Sequence, residues 1–382
     1  MNNLKNKKIA IIGAGPGGLT LARLLQMDGF KVNVYERDAD ENARPKGATL
    51  DLHEESGLAA LKEAGLMDDF MANYRPGADR TRIIDQHGNI VFEDNDTDNR
   101  EAFRPEIDRG PLQKILLDSL KKDTVVWNSH FVSLQPDKDS WRIEFKNGTF
   151  VTADIVIAAD GANSKIRPYI TPIKPFYSGV TIVEGAVYSS ETAAPNMHAL
   201  LNGGKIFAMG GEKSLIVSSK GDGSLVFYTG CNAPENWVTA SGIDFSDKNQ
   251  VIIWFKETFS DWDPLWLELF ENASGAFVPR PQYCMPLDQN WETLPNLTML
   301  GDAAHLMPPY AGEGVNMAML DALELSQCLK NENFQTSGDA ISAYEKQMLK
   351  RSSETADMTM QSTKALHSAD ALNFLVDIIG GE

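Results

Sequence analysis

The chain has 382 residues, 42% hydrophobic and 23% charged, with 30 Gly, 18 Pro and 3 Cys, an ordinary globular composition that excludes disordered, collagen-like and disulfide-stapled classes. With 53 acidic against 35 basic residues the net charge is −18 and the pI about 4.8. So negative a surface repels phosphate backbones and anionic bilayers, which argues against nucleic-acid and membrane partners. Any anionic cofactor must instead be held by a few local cations and by backbone N–H groups.

The N-terminus, MNNLKNKKIAIIGAG, places basic residues before an apolar stretch, but glycines at 13, 15, 17 and 18 cut that stretch short of a signal peptide. Residues 7–12 predict a strand, LTLARLLQMDG a helix stopping at Gly29, and VNVYER a second strand, together a βαβ unit. Leu58, Leu61, Leu66 and Phe70 are spaced for a helix over 55–73. A hairpin is expected over 80–93 around Gln86-His87-Gly88-Asn89, and a further helix after Arg109. WRIEF, Asn147-Gly148 and FVTADIVIAA read as a hairpin leading into a buried strand. Between about 172 and 280 short alternating stretches broken by glycines predict a separate antiparallel sheet. LTMLGDAAHLMPPYAGEGVNMAMLDALELSQCL returns to strand, Pro/Gly loop and long helix, and the last 45 residues have helical spacing. The expected fold is α/β, with a discontinuous Rossmann-like domain at 1–172 and 281–333, a β-sheet domain at 173–280 and a C-terminal helix at 334–382. That helix either bridges the domains or packs as ordinary core.

Cys231, Cys284 and Cys328 are odd in number and widely spaced, as reduced thiols of a cytoplasmic protein would be. No apolar run is long enough to span a bilayer, and the six histidines lack metal-ligand spacing. His305, close to Asp302, is either a core histidine or a base.

Three motifs fit one cofactor. Gly13-x-Gly15-x-x-Gly18, with Pro16, follows a strand and opens a helix. Gly13 permits the turn, Gly15 lets backbone approach a pyrophosphate, and Gly18 allows close helix–strand packing beneath a helix N-terminus facing the phosphates. Glu36 closes the second strand, where a carboxylate takes ribose hydroxyls and disfavours a 2′-phosphate. The second motif is Gly301-Asp302-Ala303-Ala304-His305, followed by Pro308-Pro309 and Gly312-Glu313-Gly314-Val315-Asn316. Asp302 can accept from a ribityl hydroxyl, and the glycines bring a second helix N-terminus toward a planar anionic ring. The third is Asp160-Gly161-Ala162-Asn163-Ser164-Lys165-Ile166-Arg167, which read alone is equally a strand-end cap.

Together these motifs resemble the class A FAD-dependent monooxygenases, the para-hydroxybenzoate hydroxylase-like family. The likeness implies FAD on the strand–helix glycines and the Gly-Asp motif, with the Asp-Gly motif (Asp160, Gly161) serving FAD and a nicotinamide cofactor. Arg109 matches the family arginine beside the flavin, and Arg37, Arg44 and Lys46 are further local cations. Glu36-Arg37-Asp38, Arg44 with Gly47-x-Thr49-Leu50-Asp51-Leu52-His53, Phe259-Ser260-Asp261-Trp262-Asp263 and Gly301 to Pro309 look specifically like the tetracycline-inactivating monooxygenases. That likeness implies that Arg44 meets NADPH or NADH, and that Asp51, Arg109 and Asp302 meet FAD. Positions aligned with that subfamily's substrate-contacting Gln, Arg and His are Glu184, Lys205 and Val226. The reaction implied is capture of O2 by reduced flavin as a C4a-hydroperoxide that hydroxylates a polycyclic phenol or enol such as tetracycline. No acid–base residue is required, and Pro308 and Gly312 form the pocket wall. A monomer is expected. Flavin halogenases carry a Trp-x-Trp pair that this chain lacks; a reductase of isoprenoid chains and a non-catalytic flavin- or drug-binding protein remain as alternatives.

Overall fold

A computed structural model describes residues 3–43, 49–94 and 104–380. The chain divides into two compact units: residues 1–74, 109–176 and 284–358 form the first, and residues 75–108, 177–283 and 359–382 the second.

The first unit is built on a five-stranded parallel sheet ordered Leu297–Met299, Ile155–Ala158, Lys8–Ile12, Lys31–Tyr35 and Val125–Val126. Ile9, Ile11, Ile155 and Ile157 are buried apolar residues of its central strands, as expected where helices cover both faces of a parallel sheet. Helix Pro16–Met27 has Pro at its first turn, where the missing N–H leaves no bond unmade. It packs against helix Gly314–Lys330 so closely that a side chain on Gly17 would press on the Ala318 carbonyl. A three-stranded antiparallel sheet (Phe131–Asp137, Ser140–Phe145, Phe150–Ala153) completes the unit's strands. The FVTADIVIAA run is therefore two strands, split at Asp154, whose carboxylate accepts from the Lys8 N–H. The helix expected over 55–73 is also divided. Gly65, at φ 68°, ends helix Ala59–Glu63, and a new helix begins at Met67.

The second unit is a seven-stranded sheet ordered Val278–Cys284, Phe176–Val187, Leu225–Asn232, Lys213–Ser219, Lys205–Gly210, Thr81–Asp85 and Ile90–Glu93. The 80–93 hairpin forms as expected, with Asn89 donating to the Asp85 carboxylate across the turn. Thr81–Asp85 pairs in parallel with Lys205–Gly210, which draws residues 75–108 into this unit and away from the 1–172 segment. One face of the sheet (Val183, Val187, Leu225, Phe227, Leu215, Val217, Ile206, Ala208) is covered by an aromatic core that includes Trp254, Phe255, Phe259, Trp262, Trp266 and Phe270. Phe255 stacks between Phe259 and Phe270, with ring centroids 4.6 and 4.0 Å away. The Phe259–Asp263 stretch is thus packing. Phe259 and Trp262 are core residues, and Asp263 caps the turn at Leu265.

The C-terminal region is two helices, Ser337–Leu366 and Ala371–Gly380. In the first unit the long helix buries Ala340, Ile341, Tyr344 and Met348 on one helical face, and its residues from Thr359 onward belong to the second unit. Among the described residues no helix is long and apolar enough to cross a membrane. The three cysteines are free and buried, and burial pushes each thiol up to about 11.

The Phe227 ring lies directly over Gly185 on the paired strand. Gly185→Ala forces the ring out of its rotamer and is expected to cost about 1–3 kcal/mol, read as a lowered thermal unfolding midpoint.

Candidate active site

The glycine turn after Lys8–Ile12 is built as its sequence implies. Gly13 sits at φ 115°, and a Cβ there would collide with the Ala159 carbonyl; one on Gly18 would collide with the Gly13 carbonyl. Gly15 differs from both. It caps helix Pro16–Met27, and nothing lies within 4 Å of where its Cβ would be. Open space in front of a helix N-terminus is what a pyrophosphate requires.

Glu36 is buried, and its carboxylate accepts from the Ala14 N–H at 2.7 Å and the Asp38 N–H at 3.0 Å. It therefore ties the second strand to the glycine turn. Arg37 beside it is exposed. Arg44, Lys46 and Gly47 lie outside the described residues.

Asp302 opens a short helix after strand Leu297–Met299, following Gly301 at φ 59° and ψ −146°, a backbone shape open to glycine. Its carboxylate makes no hydrogen bond among the described residues. Burial raises its pKa, against the pull of His305, Arg109 and Arg167. Arg109 is exposed at the start of helix Arg109–Asp118. Asp160 is similar: its Oδ2 accepts from the Lys165 N–H at 2.8 Å, while its Oδ1 is buried without a partner. Burial raises this pKa as well, against hydrogen bonds from Ser164 and Lys165. Gly161 follows at φ 80°.

The two aspartate turns are joined by a residue whose role the sequence did not announce. Arg167, at the end of the Asp160 motif, is buried and donates to the carbonyls of Ala303 (2.7 Å) and Asp302 (2.8 Å). Beneath the Asp302 turn lies a buried ion cluster. Asp321 accepts from the Gly301 N–H at 2.8 Å, from His305 Nε2 at 2.5 Å and from Arg351 at 2.5 Å. His305 is thus a core histidine: burial works against its charge, but Asp321 outweighs burial and raises its pKa. The signal for Asp321 was a lone carboxylate at helical spacing between Met317 and Leu325, both buried. Nothing in sequence pointed to Arg351.

Gly312, at φ 70°, approaches Asp51, whose carboxylate oxygens lie 3.2 Å from the position of a Cβ. Gly314 and Val315 begin helix Gly314–Lys330, and Pro308 is buried just before the loop. Asn316 is fully buried. Its amide donates to the carbonyls of Asp51 (3.0 Å) and Gly312 (3.3 Å) and accepts from the His53 N–H (2.9 Å). Asn316 therefore builds the cradle through protein contacts.

In the second unit, the three candidate substrate residues share one face of the seven-stranded sheet. Lys205, Ser218, Val226 and Ala186 are register partners across four strands. Glu184 lies in the next row with Tyr228, Ile216 and Phe207, two residues along each strand and so on the same side. This face is opposite the aromatic core. Lys205 is ion-paired with the buried Glu106, Glu184 pairs with Arg280 at 2.5 Å, and Val226 is 5% exposed. Phe207 and Tyr228 were not singled out from sequence, although their period-2 spacing from Lys205 and Val226 places them on this face.

Arg351→Ala leaves the Asp321 carboxylate buried without its fixed cation. The expected cost is about 3 kcal/mol, measured as a lowered midpoint in thermal or urea unfolding.

These features fit FAD: an open helix N-terminus for the pyrophosphate, a buried acceptor with an orphaned oxygen at Asp160, and the unbonded Asp302 carboxylate. The comparisons agree. The FAD binding domain family matches residues 6–209 and 295–359. The chain is 28% identical to monooxygenase asqM of Emericella nidulans, across 93% of this chain and 94% of that protein. It is 26% identical to 6-hydroxynicotinate 3-monooxygenase of Pseudomonas fluorescens, across 94% and 92%. The crystal structure of tetracycline destructase Tet(55) shares the fold, with TM-score 0.77, 21% identity and coverage of 100% of this chain and 96% of that one. A match to the FAD binding domain family over well more than half of the chain shows that the chain belongs to that family, the family of the class A FAD-dependent monooxygenases.

Proposed function

We propose that this protein is an NAD(P)H- and O2-consuming aromatic hydroxylase whose substrate is a planar, polycyclic phenol or enol of tetracycline-like shape, with antibiotic inactivation as its role. The observation that carries the substrate class is the second unit's sheet face opposite its aromatic core. It is several strands wide, with Phe207, Ile216 and Tyr228 in one row and Val226 and Ser218 in the next. Its two ionic side chains are internally neutralised, Lys205 by Glu106 and Glu184 by Arg280. A broad, apolar and charge-compensated surface suits a multi-ring molecule better than a small carboxylate, which would require an uncommitted cation. The tetracycline destructases, which share the fold, and the Leu50-Asp51-Leu52-His53 likeness support the same reading.

When bound, FAD supplies the redox and oxygen chemistry. The chain's part is to hold and orient it. The N-terminus of helix Pro16–Met27 offers backbone N–H groups through the space left open at Gly15. Asp302 and Asp160 offer carboxylate acceptors in buried surroundings, and helix Gly314–Lys330 directs the positive end of its dipole toward its own N-terminal loop. Arg167 and Asp321 keep the Asp302 turn from relaxing. We place nicotinamide recognition at Arg44 and the cations near it, in the cytoplasm, with the protein acting as a monomer.

Gly15→Val fills the open space before the helix, so the full chain is expected to purify folded but colourless, with FAD affinity reduced by at least about a hundredfold. A panel of tetracyclines and simpler phenols, in a coupled NADPH assay with mass spectrometry, tests the substrate class. Stimulated NADPH oxidation and a gain of one oxygen by a multi-ring substrate are expected. An FAD-loaded protein that binds tetracycline without consuming O2 would instead be a flavin-containing drug-binding protein.

A further inference from the structure

His53 follows strand Thr49–Asp51 and caps the turn Glu54–Leu58. Its side chain is only 3% exposed, so water does not serve its ring. Nε2 lies 3.1 Å from Asp51 Oδ2, and Nδ1 lies 3.4 Å from Glu313 Oε1. A neutral imidazole has one N–H and one lone pair, so either tautomer would turn a lone pair on one of these carboxylates. Only the imidazolium donates to both. Around it, the His53 N–H donates to Asn316, and Asn316 in turn donates to Asp51 and Gly312. The ring and the amide together tie the strand to the loop that opens helix Gly314–Lys330.

We propose that His53 is a positioning residue of the flavin site: its imidazolium clamps Asp51 to Glu313, fixes the Gly312–Gly314 loop, and offsets two carboxylates that would otherwise repel an anionic cofactor. The inference rests on the assignment of this cradle to FAD. Burial of the ring disfavours its charge, but hydrogen bonds and charge from Asp51 and Glu313 outweigh burial and raise its pKa to about 9. Among the described residues these are the charged groups that face the ring. Because the folded value is raised above the ordinary 6.5, the stability that the clamp contributes is complete below about pH 6.5 and declines as pH rises toward 9, while the folded ring itself keeps its proton until pH approaches about 9.

The test uses the full chain stripped of FAD. Histidine-labelled protein is titrated by NMR, with His53→Gln identifying the His53 resonance, and FAD binding is followed by flavin fluorescence from pH 6 to 9.5. The His53 ring is expected to titrate near 9, and Glu313→Gln to move that titration down while retaining the ring. Wild-type FAD affinity falls as pH rises toward 9.5. His53→Gln binds about tenfold more weakly at pH 7, the scale of one charge-assisted hydrogen bond, and loses that pH dependence. A ring that titrates at or below 6.5 overturns the proposal, as does a His53→Gln protein with wild-type affinity and pH slope. Should His53→Gln not fold, the Glu313→Gln shift and the wild-type pH slope decide. A chain that binds FAD at no pH while the ring titrates near 9 overturns the flavin assignment and upholds the clamp.

Discussion

A carboxylate with no solvent exposure is tolerable only where donors surround it, and Asp321 is such a carboxylate. Its three donors come from three places in the chain: the Gly301 N–H at the end of a central strand, His305 four residues on, and Arg351 on the long C-terminal helix. Each donor therefore fixes a different element of the first unit to helix Gly314–Lys330. The turn carrying Asp302 lies between two of them, so its shape is set from below by the ion cluster. Arg167 holds the same turn from the side through the Asp302 and Ala303 carbonyls.

That arrangement explains how an acidic chain holds an anionic cofactor. The −18 charge is met at the site by few exposed cations among the described residues, Arg37 and Arg109 being two. Among the described residues, several cations near the cradle are committed to protein: Arg167 to carbonyls, Arg351 to Asp321 and Glu324, His53 to Asp51 and Glu313. The open space before helix Pro16–Met27 leaves backbone N–H groups available to a ligand. Open helix N-termini and oriented N–H groups bind phosphate without a net positive surface.

The parallel sheet, the glycine turn and the antiparallel strands of the second sheet between 176 and 232 were legible because period-2 and period-3.6 patterns reflect local burial. The expected helix over 55–73 failed at Gly65, which breaks a pattern that otherwise continues, whereas the hairpin into a buried strand formed, Asp154 separating the hairpin strand Phe150–Ala153 from the buried Ile155–Ala158. The 75–108 segment left the first unit because a parallel pairing with Lys205–Gly210 has no local signature. The Phe259–Asp263 stretch, singled out as a likeness to one subfamily, puts Phe259 and Trp262 into the aromatic core, where Phe259 stacks on Phe255 and meets Trp262 edge to face.

By itself, the sequence determined the FAD-binding architecture and the places of its turn glycines, since a tight turn or close backbone approach restricts a position to glycine. Tertiary structure alone decided which side chains are committed to protein and which are left for a ligand. Asn316 and Glu36, read from sequence as cofactor contacts, make their observed bonds to backbone, whereas Asp302 makes none among the described residues. Lys205 and Glu184 are each neutralised by a residue distant in sequence, Glu106 and Arg280. The physical reason is range. Turn geometry is fixed within a few residues, but charge compensation depends on whichever group the fold brings within a few ångströms.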